Sequence, residues 1–135
     1  VVCYARLKFD LGDTFRNTGI TSLVLPNVYG AIGSSFLNGN SAITNLVLSQ
    51  DITSLGSYLV GNNLENFEPT VLPKVTYIGT HAFAYVKKMK GDWYLPELIS
   101  IDGNTNFRET KITSFKAPKL NVIPGYIFCS ISNLF

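Results

Sequence analysis

The chain repeats itself about every 23 residues, and this period restricts the possible folds more than any other feature. Ile20-Thr21-Ser22-Leu23-Val24-Leu25-Pro26 reappears as Ile43-Thr44-Asn45-Leu46-Val47-Leu48-Ser49, each residue displaced by 23 places. Ile32-Gly33-Ser34-Ser35-Phe36 returns at the same step as Leu55-Gly56-Ser57-Tyr58-Leu59. A third copy runs from Val71-Leu72-Pro73 to His81-Ala82-Phe83, a fourth opens with Tyr94-Leu95-Pro96, and a fifth runs from Phe115 through Pro118 to Ile127-Phe128. The column Pro26, Ser49, Pro73, Pro96, Pro118 advances by 23, 24, 23 and 22 residues; the column Ile32, Leu55, Ile78, Ile101, Ile123 advances by 23, 23, 23 and 22. Two independent phases that stay together this closely mark an internal repeat.

Units of this length cannot bury an apolar side alone and must stack. A period between 20 and 29 with an L-x-x-L-x-L-type stretch predicts a leucine-rich-repeat coil. The expected fold class is an α/β-type repeat solenoid, β-dominated, coiled right-handedly with a parallel β-sheet on one face and roughly 22–24 residues per turn. In each strand Leu23 and Leu25 point inward while Ser22 and Val24 point outward, following the period of two. The proline after the strand removes a ladder donor and ends pairing, and Val28 and Ile32 anchor the returning side. Asn38-Gly39-Asn40, Gly61-Asn62-Asn63 and Gly103-Asn104 supply turn chemistry between laps. Asn38-Gly39 alone would signal a hairpin, but a 23-residue translation demands parallel neighbours, which no two-residue turn can join. The whole chain, 1–135, is expected to be one solenoid: a degenerate leading repeat 1–18, repeats 19–41, 42–64, 65–88, 89–110 and 111–133, and the start of another at 134–135.

Composition agrees with a single packed domain. The 135 residues are 46% apolar, 13% aromatic and only 15% charged, which excludes disorder, coiled coil and collagen. A net charge of +2 is too small for a surface devoted to phosphate neutralisation, so nucleic acid is not an expected partner. No run approaches 18 apolar residues, so no membrane span is expected in this segment. The opening Val1-Val2-Cys3-Tyr4 suggests a processed or excerpted chain, with further repeats or partner chains at both solenoid ends.

Chemistry-bearing residues are sparse. His81 is the only histidine, has no acidic or cysteine neighbour at ligand spacing, and is expected to be an exposed polar residue. Gly56-Ser57-Tyr58-Leu59-Val60-Gly61 imitates a phosphate loop, but Asn62-Asn63 stands where Lys-Ser/Thr is needed. The carboxylates Asp51, Glu65, Glu68, Asp92, Glu97, Asp102 and Glu109 are dispersed over different copies. Glu65 with Glu68, and Asp92 with Glu97, lack a supporting constellation for glycosidase chemistry. No catalytic residue, metal or cofactor is nominated. Cys3 and Cys129 lie in copies separated by five strand spacings, roughly 24 Å, beyond the reach of a disulfide, which predicts two buried free thiols. Lys87, Lys88 and Lys90 could meet a polyanion, although a solvated turn is the commoner reason for such a run.

The sharper candidate is the outward strand face. Two residues before the proline column stand Val24, Val47, Val71, Tyr94 and Lys116; four before it stand Ser22, Asn45, Pro69, Asp92 and Ser114. Stacking should align them as an apolar stripe beside small polar residues with a basic end, a composition suited to protein binding. The expected site is therefore Ser22, Val24, Asn45, Val47, Val71, Asp92, Tyr94, Ser114 and Lys116. Valine's strand preference alone would also explain part of the stripe.

The pattern L-x-x-I-x-L-P-x-V-x-x-I-G-x-x-A-F, seen best in Leu72-Pro73-Lys74-Val75-Thr76-Tyr77-Ile78-Gly79-Thr80-His81-Ala82-Phe83, resembles the BspA-type leucine-rich repeats of Bacteroides and Treponema surface proteins. The likeness covers roughly residues 7 to 135. Ser49 departs from the proline, Asp102 and Pro124 depart from the glycine, and the cysteine usual after Ala-Phe is absent. The resemblance implies a secreted or cell-surface, non-enzymatic module that adheres to a protein or glycoprotein. A structural spacer or assembly role within a larger repeat protein or particle is the alternative.

Overall fold

The computed structural model describes residues 1–9, 12–60, 64–65, 67 and 72–131. Of the sequence expectations, Glu68, Pro69, Val71, Gly61-Asn62-Asn63 and the start of another repeat at 134–135 lie outside the described residues. Among the described residues there are nine strands: β1 (Lys8–Phe9), β2 (Ser22–Leu25), β3 (Tyr29–Ile32), β4 (Asn45–Leu48), β5 (Ile52–Leu55), β6 (Tyr77–Ile78), β7 (Lys90–Tyr94), β8 (Ser100–Ile101) and β9 (Lys111–Lys116). All named pairings are parallel. Residues one repeat apart are neighbours, so the chain is a β-solenoid of about four turns.

Among the described residues the L-x-L stretches form two pairs, β2–β4 and β7–β9. The longest sheet among those residues lies on the returning side, five strands in the order β1-β3-β5-β6-β8. There Ile32 pairs with Leu55, Leu55 with Ile78 and Ile78 with Ile101, so the second sequence column is a physical ladder. Ile123 breaks the series, since it is in no strand and is 60% exposed. The reason lies one residue on. Gly79 donates its N–H to Leu55 O and Asp102 donates to Ile78 O, but the fifth copy has Pro124 there, which has no N–H to give.

No described residue is helical, so the α/β-type expectation is corrected to an all-β coil. The segment that would be helical begins and ends in the left-handed region: Ser35 (φ 59°) and Gly39 (φ 79°), then His81 (φ 55°) and Tyr85 (φ 63°). Only three residues lie between such positions, too few for a right-handed α-helical turn closed by i→i−4 bonds. The backbone pairs across laps instead, Ser35 N–H to Ser57 O and Leu37 N–H to Leu59 O, both at 2.8 Å.

The core is a set of inward columns. Leu23, Leu25, Val28, Ile32 and Phe36 are buried, as are Leu46, Leu48, Ile52, Leu55 and Leu59 in the next lap. Further along the axis the filling becomes aromatic, with Trp93 edge-on to Phe83 at 5.0 Å and to Phe107 at 4.8 Å. Glycine at 56 and 79 has a steric cause. A Cβ on Gly56 would lie 2.3 Å from the Gly33 carbonyl carbon, and one on Gly79 would lie 2.6 Å from Ser57 N.

Candidate functional site

The two short sheets carry the outward residues singled out by the sequence. In β2–β4, Ser22 pairs with Asn45 and Val24 with Val47, and the Asn45 amide donates to Ser22 Oγ at 3.0 Å. Val47 is 39% exposed. Val24 is half-buried, because residues 1–3 run beside β2: Val24 N–H donates to Val1 O at 2.9 Å and Cys3 N–H to Val24 O at 3.0 Å.

In β7–β9 the rungs are Lys90 with Lys111, Asp92 with Ser114, and Tyr94 with Lys116. A bulge places Thr113 as an extra residue, so Thr113 and Ser114 both reach the Asp92 carboxylate. Their hydroxyls donate to Oδ1 at 2.7 and 2.9 Å. These two hydrogen bonds, that of Thr113 first, hold the Asp92 carboxyl below the usual carboxylate range. Tyr94 is 47% exposed. A hollow of about 820 Å³ opens here, bounded by Tyr94, Phe115, Lys116, Ala117 and Pro118 among others. A smaller one of about 450 Å³ opens at the end of β4 beside Pro26, Val47 and Asp51. The expected columns are thus brought together within each sheet, four residues in each.

Charged side chains at the margins mostly tie one lap to the next. Asp51 accepts from Lys74 Nζ at 2.6 Å and from Arg6 Nη1 at 2.7 Å. The Lys74 hydrogen bond, then that of Arg6, pushes its carboxyl down from the ordinary value. Lys119 pairs with Glu97 at 2.5 Å, Lys88 with Glu65 at 2.8 Å, and Lys87 with Glu109 at 3.2 Å. Lys87 and Lys88, for which the sequence favours a solvated turn over a polyanion site, stitch laps together. Asp92 and Glu97 are engaged by different partners, hydroxyls and Lys119 respectively.

Two other expectations need correction. His81 is not a plain exposed residue: it is half-buried, left-handed, and stacked on Tyr58 with centroids 5.1 Å apart and planes 3° from parallel. Repeat geometry forces this, because the two residues hold the same place in successive laps. Cys3 and Cys129 are free, as expected, but half-buried where full burial was expected. Both lie on peripheral laps, where fewer neighbours cover a side chain.

Sequence reasoning also missed Asn40, read as turn chemistry. It is fully buried and its amide ties the leading lap to the first complete one. The signal available was only that an asparagine recurs near lap ends, which turns explain equally well.

Among the described residues no group of three His, Cys, Asp or Glu side chains could hold a metal ion, and no helix is long and apolar enough to cross a membrane. Stacked parallel laps, inward apolar ladders and an exposed strand face define a repeat solenoid of the interaction-module class. The chain belongs to the BspA type leucine rich repeat region family, which it matches in six copies over residues 12–134. That family is generally non-enzymatic and is associated with cell-surface proteins. No curated protein and no solved structure matches the chain.

Proposed function

We propose that this chain is a non-enzymatic adhesion module of a secreted or cell-surface protein, binding a protein or glycoprotein through the outward faces of β2–β4 and β7–β9. The observation that carries this reading is the exposure of Val47 on one sheet and Tyr94 on the other, each beside a hollow. An exposed aromatic and an aliphatic flanked by hydroxyls and charges have the make-up of an interface centre with a polar rim. Both side chains leave the core untouched, so the face can be altered without unfolding the coil.

The test replaces both residues, Val47→Lys with Tyr94→Lys, and measures retention of the labelled protein on immobilised extracellular-matrix glycoproteins. Retention falls to background while the circular dichroism spectrum is unchanged. Undiminished retention refutes the assignment of the face. A second reading is a structural spacer or assembly module of a larger repeat protein or particle. Under that reading the double variant keeps its retention and its self-association.

A further inference from the structure

The cations of residues 73–135 sort into two groups. Lys74, Lys87, Lys88, Arg108 and Lys119 each lie against a carboxylate. Lys90, Lys111 and Lys116 form no salt bridge with a described carboxylate, and Lys90 acts on Glu65 only at longer range. All three stand exposed on β7–β9. Lys90 and Lys111 are direct cross-strand neighbours, an arrangement of like charges that works against sheet stability. No described carboxylate pairs with either lysine.

The middle rung has the opposite sign. Asp92 is fastened by Thr113 and Ser114 and stays ionised. Along β7–β9 the face therefore reads two cations, then one anion, then a cation beside a phenol ring. Alternate residues of a strand lie roughly 7 Å apart and the outer rungs roughly 13 Å apart.

We propose that this face docks an extended acidic segment of a partner protein, in which residues i and i+4 are acidic and residue i+2 is uncharged or basic. An extended peptide has the rise of the strands beneath it, so its i, i+2 and i+4 side chains fall over successive rungs. A uniform polyanion, whether nucleic acid or sulfated glycan, would bring negative charge onto Asp92. The hollow beside Tyr94, Ala117 and Pro118 offers room for a neighbouring apolar side chain of the same segment. This inference rests on the strand face being the interaction surface and supplies the chemistry of what it meets.

The experiment uses the full chain with two fluorescein-labelled peptides centred on Glu-Thr-Lys-Thr-Glu and Glu-Thr-Glu-Thr-Glu, and heparin as competitor. Fluorescence anisotropy at low salt finds the first peptide preferred by about fivefold, the ratio that one exposed charge pair supports. Asp92→Asn abolishes the preference, and Lys90→Gln with Lys111→Gln and Lys116→Gln lowers the affinity of both peptides by about tenfold or more. Equal or tighter binding of the all-glutamate peptide, or stronger binding of heparin than of the first peptide, overturns the proposal. So does failure of both peptides to bind. If that happens while Val47→Lys with Tyr94→Lys still abolishes retention on matrix glycoproteins, the face stands and only its assigned chemistry fails.

Discussion

Asn40 offers the most demanding test of how the laps are joined. Its amide donates to Phe15 O at 2.5 Å and Leu37 O at 3.1 Å, and accepts from Gly19 N–H at 2.7 Å and Thr18 Oγ1 at 3.2 Å. Two donors and two acceptors are all that a carboxamide has, and every one is engaged with no solvent access. The Thr18 hydroxyl has a single proton and a second acceptor, Phe15 O at 2.9 Å, so three bonds count in full. At about 1 kcal/mol net for each, Asn40→Ala destabilises the protein by about 3 kcal/mol. With an m-value of about 1–3 kcal/mol/M in urea, the midpoint falls by about 1–3 M. Urea unfolding followed by circular dichroism measures this, with the half-exposed neighbour Asn38→Ala as control, expected within about 0.5 kcal/mol of the parent. Because a solenoid's stability is a sum of neighbouring-lap terms, amide exchange at Gly19 accelerates before exchange in β5 does. A loss below about 1 kcal/mol refutes the claim that this side chain joins the laps.

Three further outcomes are expected. Gly56→Ala places a methyl 2.5 Å from Gly33 O and 2.3 Å from its carbonyl carbon, backbone that cannot step aside, and costs more than about 3 kcal/mol. Gly19→Ala, at φ 72° with open space around it, costs only the left-handed penalty of about 1–2 kcal/mol; equal losses for the two glycines would contradict the packing argument. Asp51 has a lowered pKa because of Lys74 and Arg6. Its contribution to stability is thus present above its unfolded pKa near 4 and is lost as pH falls through the lower folded value. Thermal midpoints of Asp51→Asn should approach those of the parent in acid and fall below them at neutral pH, whereas a constant gap would deny the linkage. Finally, Cys3 and Cys129 react with a thiol reagent in native buffer, giving two equivalents without denaturant. Absence of labelling until unfolding would show that they are buried.

The sequence alone determined the periodicity and everything that follows from translation. Once Ile32, Leu55, Ile78 and Ile101 recur at one step, parallel stacking puts them in a single ladder, and the outward pairs Ser22–Asn45, Val24–Val47, Asp92–Ser114 and Tyr94–Lys116 become neighbours. The family likeness was legible for the same reason, since the repeat is itself the motif. What the period could not determine is the local conformation between its fixed points. The left-handed residues at 35, 39, 81 and 85 rule out a helix, yet serine, histidine and tyrosine do not advertise that conformation as glycine does. Among the described residues the larger sheet lies on the returning side, where Gly56 and Gly79 carry no side chain to hold the laps apart, and it ends where Pro124 has no N–H. Which lysines are consumed by carboxylates one lap away, and which three remain exposed on β7–β9, is likewise a property of stacking. A charge run in sequence names the cations, but only the distance between laps decides their partners.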